Sequence, residues 1–259
     1  AGAINMPALL RKGATSTLGM NLWHGGPNKW AAEPDFPQGR PRLDKMGSGE
    51  GNQAYGDGFY SAQNPYVAKE YQRKLSPKDD VVNQGQLYKI DIPDEDVAKY
   101  IDLDKKMNQQ SPYVQKALEK IKAQFPENTF EGHALEYATG QQLFDIIDKV
   151  SGGSGGILGR SSLTEEVFRK AGIPGNRYAD QMSRGKYGVQ LKYKGKDYTD
   201  GPVEFATKKQ ADDYLKESTK KGFEAEHIDI GTRNYVTWDQ KVLDRTKVLQ
   251  RNEEIYKQL

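Results

Sequence analysis

The stretch GSGEGNQAYGDGFYSAQNPYVAKEY, residues 47–71, decides how this chain is organised. Five glycines fall in residues 47–58, and they give a backbone that can adopt positive φ angles and pass close to a ligand. The aromatic residues of FYSA, 59–62, predict a short strand. Asn64 and Pro65 follow as the N-cap and first residue of a predicted helix. We expect a contact loop, a strand and a helix in succession.

Tyr60 lies on the predicted strand, and Tyr71 follows eleven positions later on the predicted helix. Both phenol rings can therefore line one cleft where the strand and the helix meet. Two rings facing across a cleft would hold a flat aromatic guest by stacking, and a cationic guest more strongly. The nicotinamide ring of NAD+ has both properties.

A second motif, LWHGG, residues 22–26, precedes this stretch on a predicted first strand. The order LWHGG, glycine-rich loop, YGDGFYSAQ and tyrosine-bearing helix resembles the ADP-ribosyltransferases of the diphtheria-toxin and PARP type. It is most similar to the ADP-ribosyltransferase-like domains of large phage and prophage proteins. The resemblance is strong over residues 21–75 and weaker over 172–184 and 232–249. It implies an α+β fold, a split antiparallel β-sandwich with flanking helices.

The same resemblance implies NAD+ as co-substrate, without a metal. The His24 imidazole would hydrogen-bond a ribose hydroxyl, and the backbone of Gly25 would hold the nicotinamide carboxamide. Tyr60 and Tyr71 would flank the nicotinamide ring. Considered alone, a histidine at a strand end is more often structural than functional.

The family's late strand carries a glutamate just before a tyrosine, but in RNYVTWD that position is Asn234. An amide can hold the ribose 2′-hydroxyl, yet it brings no negative charge to an oxocarbenium-like transition state. Glu50 in the glycine loop, assisted by Gln53, is one alternative source of the carboxylate. Glu226 or Asp229 on the preceding strand is another. In the remaining alternative, the site binds NAD+ or ADP-ribose and does no chemistry.

The length of 259 residues suits one domain with a small insert. We expect a lead-in over residues 1–20 and an ADP-ribosyltransferase-like domain over 21–259. Within it, residues 186–230 predict an inserted ββαβ unit whose helix is capped by Thr207 and ended by Gly222. Ser162 and Glu165 predict a capping box for an earlier helix.

The charge is nearly balanced, with 38 Lys and Arg against 36 Asp and Glu, so no sequence-wide attraction to nucleic acid or membrane is indicated. The absence of cysteine excludes disulfides, thiolate nucleophiles and cysteine-based zinc sites. No apolar run is long enough for a bilayer span, and the first twenty residues lack a signal-peptide core. We expect a soluble protein, either intracellular or virion-associated.

Two basic features admit a functional and a plain interpretation. Arg40 and Arg42 could reach a pyrophosphate, or could be solvated surface, which is the commoner case. Lysines on the helix of the predicted insert could meet an acidic partner or form its solvated face: Lys208, Lys209, Lys216, Lys220 and Lys221.

Two functions follow from the sequence. The first is an NAD+-dependent mono-ADP-ribosyltransferase that modifies a macromolecular acceptor, expected to be a protein, as a phage or bacterial effector or toxin. The second is a catalytically inactive module of the same fold that binds NAD+ or ADP-ribose, or serves as a virion-associated interaction domain. The catalytic candidates are Glu50 and Asn234.

Overall fold

The computed structural model describes residues 20–45, 56–75, 85–153, 161, 163–180, 187–198, 203–228 and 231–252. Its helices and strands, in chain order, are β1 (Met20–Gly26), β2 (Phe59–Ala62), α1 (Pro65–Leu75), β3 (Gln86–Ile92), α2 (Asp94–Val97), β4 (Ile101–Asp102), α3 (Pro112–Lys122), α4 (Gly140–Val150), α5 (Thr164–Ala171), β5 (Gly175–Ala179), β6 (Tyr187–Tyr193), β7 (Lys196–Asp197), β8 (Val203–Phe205), α6 (Lys208–Lys220), β9 (Glu224–Ile228), β10 (Arg233–Thr237), α7 (Gln240–Leu243) and β11 (Lys247–Arg251). The predicted α+β class is confirmed. No helix in these ranges has the length and apolar character needed to cross a bilayer.

The chain forms two compact units. The first contains the chain up to Arg177 and again from Tyr235, and the second is Tyr178–Asn234. The chain leaves the first unit along β5 and returns to it along β10. The predicted insert, 186–230, falls inside the second unit.

The first unit is built on a seven-stranded sheet in the order β11-β3-β1-β2-β10-β5-β4. The sheet is mixed, because β1 is antiparallel to both β2 and β3 whereas β4 and β5 run parallel. The longest ladder joins β1 to β3, from Met20 opposite Ile92 to Gly26 opposite Gln86. Strand β1 is therefore fixed along its whole length by β3.

The main core lies on one face of this sheet. Its members come mainly from β1, β2, β3 and β10, with α2 and α7 covering them, and include Leu22, Phe59, Tyr88, Ile90 and Tyr235. Helix α1 covers part of the opposite face, where its buried Ala68 packs near Leu87 and Trp23. Because both faces are covered here, β3 buries consecutive residues instead of following the strict alternation of a half-exposed strand.

The second unit has a four-stranded sheet with β6 at its centre, paired antiparallel with β7, β8 and β9. Helix α6 packs against it through Ala211, which meets Val189 and Leu191. Thr207 and Gln210 form the capping box of α6, and Gly222 follows the helix with a φ of +88°. The predicted order of strand, strand, helix and strand is present, with short β7 in addition.

The predicted capping box at the start of α5 includes Ser162, which lies outside the described residues. The N-cap is Leu163, which provides no side-chain hydrogen bond, and the helix begins at Thr164. The Glu165 carboxylate is buried and accepts a hydrogen bond from the backbone N–H of Asp57. This carboxylate therefore contacts a residue 108 positions away in the sequence.

Candidate functional site

The pairing of β1 with β2 in the sheet is short. These two strands form a single residue pair in register, Trp23 opposite Ala62. The ladder does not continue to the ends that carry His24 and Gly25 on β1 and Tyr60 on β2. This end of the β1–β2 pair, beside His24, Gly25 and Tyr60, is the opening between the two strands.

The side chain of His24 spans this opening. Its Nδ1 lies 2.7 Å from the carbonyl oxygen of Tyr60. A carbonyl can only accept, so Nδ1 carries the hydrogen and Nε2 presents a lone pair. Within the described residues Nε2 has no hydrogen-bond partner, and an added Cβ at Gly26 would lie 3.0 Å from it. The glycine therefore leaves Nε2 uncovered as a hydrogen-bond acceptor.

Three aromatic rings surround the imidazole. The ring centroid of His24 lies 4.5 Å from that of Phe59, 5.5 Å from that of Trp30 and 6.4 Å from that of Tyr88. Trp30 stacks on Tyr88 with centroids 3.7 Å apart, and its backbone N–H donates to the Tyr88 hydroxyl. Burial among these groups lowers the pKa of His24 to about 4, although the bond to Tyr60 acts in the opposite direction. The imidazole is neutral at neutral pH.

This lowered pKa predicts a stability that depends on pH. The folded pKa of His24 lies below its ordinary value of 6.5, so the unfolded chain binds more protons between pH 6.5 and about 4. The contribution of the neutral His24 imidazole to the free energy of unfolding is complete above pH 6.5 and is lost as the pH falls toward 4. We expect a loss of about 2 kcal/mol between pH 7 and pH 5. Urea unfolding of wild type and of a His24→Gln variant at both pH values measures it.

The His24→Gln variant lacks the titrating imidazole. Between pH 7 and pH 5 its free energy of unfolding should therefore fall by about 2 kcal/mol less than that of wild type. Equal losses in the two proteins would show that His24 is not the group responsible. Both unfolding curves should have the same dependence on urea concentration for this comparison to hold.

The two predicted clamp residues lie on one side of the sheet. Tyr60 shares a face with Ala62 and therefore with Trp23, and this is the face that α1 covers. The hydroxyl of Tyr60 donates to the Gly56 carbonyl over 2.8 Å. Tyr71 is on α1 and is 46% exposed, so its ring is accessible. The clamp itself stays a prediction.

His24 projects to the opposite face, next to Phe59. The structure therefore does not bring the imidazole of His24 and the ring of Tyr60 together on one face of the sheet. The resemblance implies that all three side chains contact one ligand, so this separation is a departure from the expected site. Strand alternation fixes the difference, because His24 and Trp23 are consecutive residues on β1.

Gly25 has a packing role that the sequence did not reveal. A Cβ at this position would lie 1.8 Å from the backbone oxygen of Ala68 and 2.8 Å from the backbone nitrogen of Gln72. The missing side chain lets α1 approach β1 directly. The predicted grip of Gly25 on a carboxamide is a separate matter and stays a prediction.

Of the two catalytic candidates, Asn234 lies within the described residues and Glu50 does not. Glu50 lies outside the described residues, as do Gln53 and Asp229. Asn234 lies on β10, at the last position of the second unit, and its Oδ1 is buried without a hydrogen-bond partner in the described chain. Glu226 pairs with Lys192 over 2.7 Å, so its carboxylate is already engaged.

The two arginines considered for a pyrophosphate are engaged by carboxylates. Arg40 pairs with Glu33 at 2.9 Å and also with Asp244. Arg42 binds Asp44 through two hydrogen bonds of 2.9 and 2.8 Å. These contacts favour the plain interpretation, a surface network of ion pairs.

The lysines of α6 are also partly neutralised. Lys208 pairs with Asp212, and Lys209 pairs with Asp213. In each pair the N–O distance is 2.7 Å and the partners lie one helical turn apart. Such pairs reduce the positive charge that an acidic partner would meet. The lysine face is therefore closer to an ordinary solvated helix surface than to a basic patch.

Comparison of the chain with protein-family models, curated proteins and solved structures finds no match. The described residues contain no group of three or more His, Asp or Glu side chains that could hold a metal ion. The features of the chain that bear on function are therefore the motif residues and the opening between β1 and β2.

Proposed function

We propose that this chain binds NAD+ and transfers its ADP-ribose to a macromolecular acceptor, with release of nicotinamide. The observation that carries the proposal is the opening between β1 and β2, which His24 spans with Nδ1 bound to Tyr60 and Nε2 left open. A neutral imidazole presenting a lone pair suits a ribose hydroxyl, which donates the hydrogen. The proposed fold is the split β-sandwich of the ADP-ribosyltransferases.

The remaining groups have roles that follow from their chemistry. Tyr60 and Tyr71 would flank the nicotinamide, whose positive charge favours contact with aromatic faces. The bond between nicotinamide and ribose C1 breaks with its electron pair going to the nicotinamide nitrogen, which leaves as a neutral base. The acceptor nucleophile bonds to C1 and loses a proton. The carboxylate of Glu50 would stabilise the positive charge that develops on the ribose.

Binding is tested by removing one exposed ring. A Tyr71→Ala variant should raise the dissociation constant of NAD+ about tenfold, because one aromatic face of the clamp is lost. Tyr66→Ala is the matched control, since Tyr66 lies on the same helix and is 55% exposed. Isothermal titration of the two variants and of wild type gives the three constants. Equal affinities for wild type and Tyr71→Ala would remove Tyr71 from the site.

Transfer is tested separately, by following free nicotinamide and labelled acceptor protein after incubation with NAD+. Release of nicotinamide with labelling supports the transferase. Failure of wild type to bind NAD+ would remove the proposed function altogether.

A second function, binding of NAD+ or ADP-ribose without chemistry, is favoured by one observation. The position where the resemblance implies a glutamate carries Asn234, an amide that brings no negative charge to the transition state. Binding of NAD+ with no release of nicotinamide would establish this second function and exclude the first.

A further inference from the structure

We infer that Glu165, on α5, is a positioning residue that holds the proposed NAD+ site in shape through the turn Gly56-Asp57-Gly58. This inference rests on the proposed function for its ligand, but its structural part stands without one. Glu165 is only 7% exposed, and its Oε1 accepts the Asp57 backbone N–H over 3.0 Å. Burying a carboxylate is costly, so its hydrogen bonds fix the groups that satisfy it.

The turn fits closely against its surroundings. A Cβ at Gly56 would lie 2.7 Å from Oε1 of Glu165 and 2.8 Å from Nε1 of Trp238. Gly56 also has a φ of +109°, a backbone conformation that suits glycine. A Cβ at Gly58 would lie 2.6 Å from the Thr237 carbonyl oxygen. The turn is thus held between α5 and the segment that ends β10.

Two hydrogen bonds connect this turn to the proposed site. The carbonyl of Gly56 accepts the hydroxyl of Tyr60 over 2.8 Å, and the carbonyl of Tyr60 accepts Nδ1–H of His24 over 2.7 Å. Tyr60 is therefore held at its ring end and at its backbone. If the turn is displaced, we expect Tyr60 to move with it. Its carbonyl would then no longer hold the hydrogen of His24 on Nδ1.

The adjacent residue shows what an ordinary acid on this helix does. Glu166 is partly exposed and pairs with Lys170 one turn later, over 2.8 Å. Such a pair contributes little beyond local helix stability. Glu165 instead faces away from solvent and bonds to a residue on another element, which indicates a role outside its own helix.

The experiment compares Glu165→Ala, Glu165→Gln and the matched control Glu166→Ala with wild type. Histidine NMR without ligand reports the tautomer of His24, with His133 and His227 as internal references. Isothermal titration reports the dissociation constant of NAD+. We expect Glu165→Ala to populate both His24 tautomers and to weaken NAD+ about tenfold. Glu165→Gln, which keeps an acceptor oxygen, should stay within about threefold of wild type, as should Glu166→Ala.

A Tyr60→Phe variant keeps the ring but removes the hydroxyl that binds Gly56, so it breaks the same connection without altering Glu165. It should also mix the His24 tautomers. An unchanged His24 spectrum in both Glu165→Ala and Tyr60→Phe would overturn the inference, as would Glu165→Gln behaving like Glu165→Ala. If wild type does not bind NAD+, the proposed function fails while the histidine spectra still decide the role of Glu165.

Discussion

A Gly25→Ala variant is expected to lose about 3 kcal/mol or more of unfolding free energy, enough to leave little folded protein if the native state is of ordinary stability. The added methyl group would lie 1.8 Å from the Ala68 carbonyl oxygen. That oxygen belongs to the backbone of α1, so the helix must move as a whole to relieve the overlap. Urea unfolding followed by circular dichroism measures the loss.

Gly132→Ala is the control for this effect. Gly132 has a φ of +78° and no heavy atom within 4 Å of an added Cβ, so only backbone strain applies. We expect a cost of about 1 kcal/mol. Similar losses in the two variants would mean that α1 does not approach β1 as closely as described.

A Glu50→Gln variant is expected to release nicotinamide about 100-fold more slowly than wild type, with a nearly unchanged dissociation constant for NAD+. The carboxylate would stabilise charge that develops only in the transition state, and loss of one such contact costs about 3 kcal/mol of barrier. Rates under saturating NAD+, with affinities from titration, separate the two effects.

Glu70→Gln provides the comparison, because Glu70 is an exposed acid on α1 that pairs with Arg73 at 2.9 Å. It should release nicotinamide at the wild-type rate. An undiminished rate in Glu50→Gln would exclude Glu50 from the mechanism and leave the stabilising carboxylate to be found elsewhere.

Local sequence signals predicted the elements around the site well. The strand over residues 59–62 has the predicted bounds, because its aromatic residues define it. Helix α1 begins at Pro65, where Asn64 Oδ1 accepts the Tyr66 N–H. Short-range hydrogen bonding and periodicity are sufficient for features of this kind.

Features that depend on distant contacts were not predictable. The stacking of Trp30 on Tyr88 joins residues 58 positions apart, and neither residue carries a local pattern for it. The carboxylate of Glu165 contacts the backbone of Asp57, 108 positions away, and no local pattern predicts this contact. The face on which His24 lies depends on the register of β1 with β2, which no single strand encodes.

The single pair of Trp23 and Ala62 that holds β1 to β2 has a consequence for selectivity. Under the proposed function the gap beyond this pair is a narrow slit, with the imidazole on one side and the phenols on the other. A slit of this kind selects ligands by their thickness. A planar heterocycle can enter edge-on, whereas a bulky saturated group of equal polarity is sterically excluded. Under the same proposal, lengthening the β1–β2 ladder by one residue pair would close the slit and abolish NAD+ binding without changing any side chain proposed to contact NAD+.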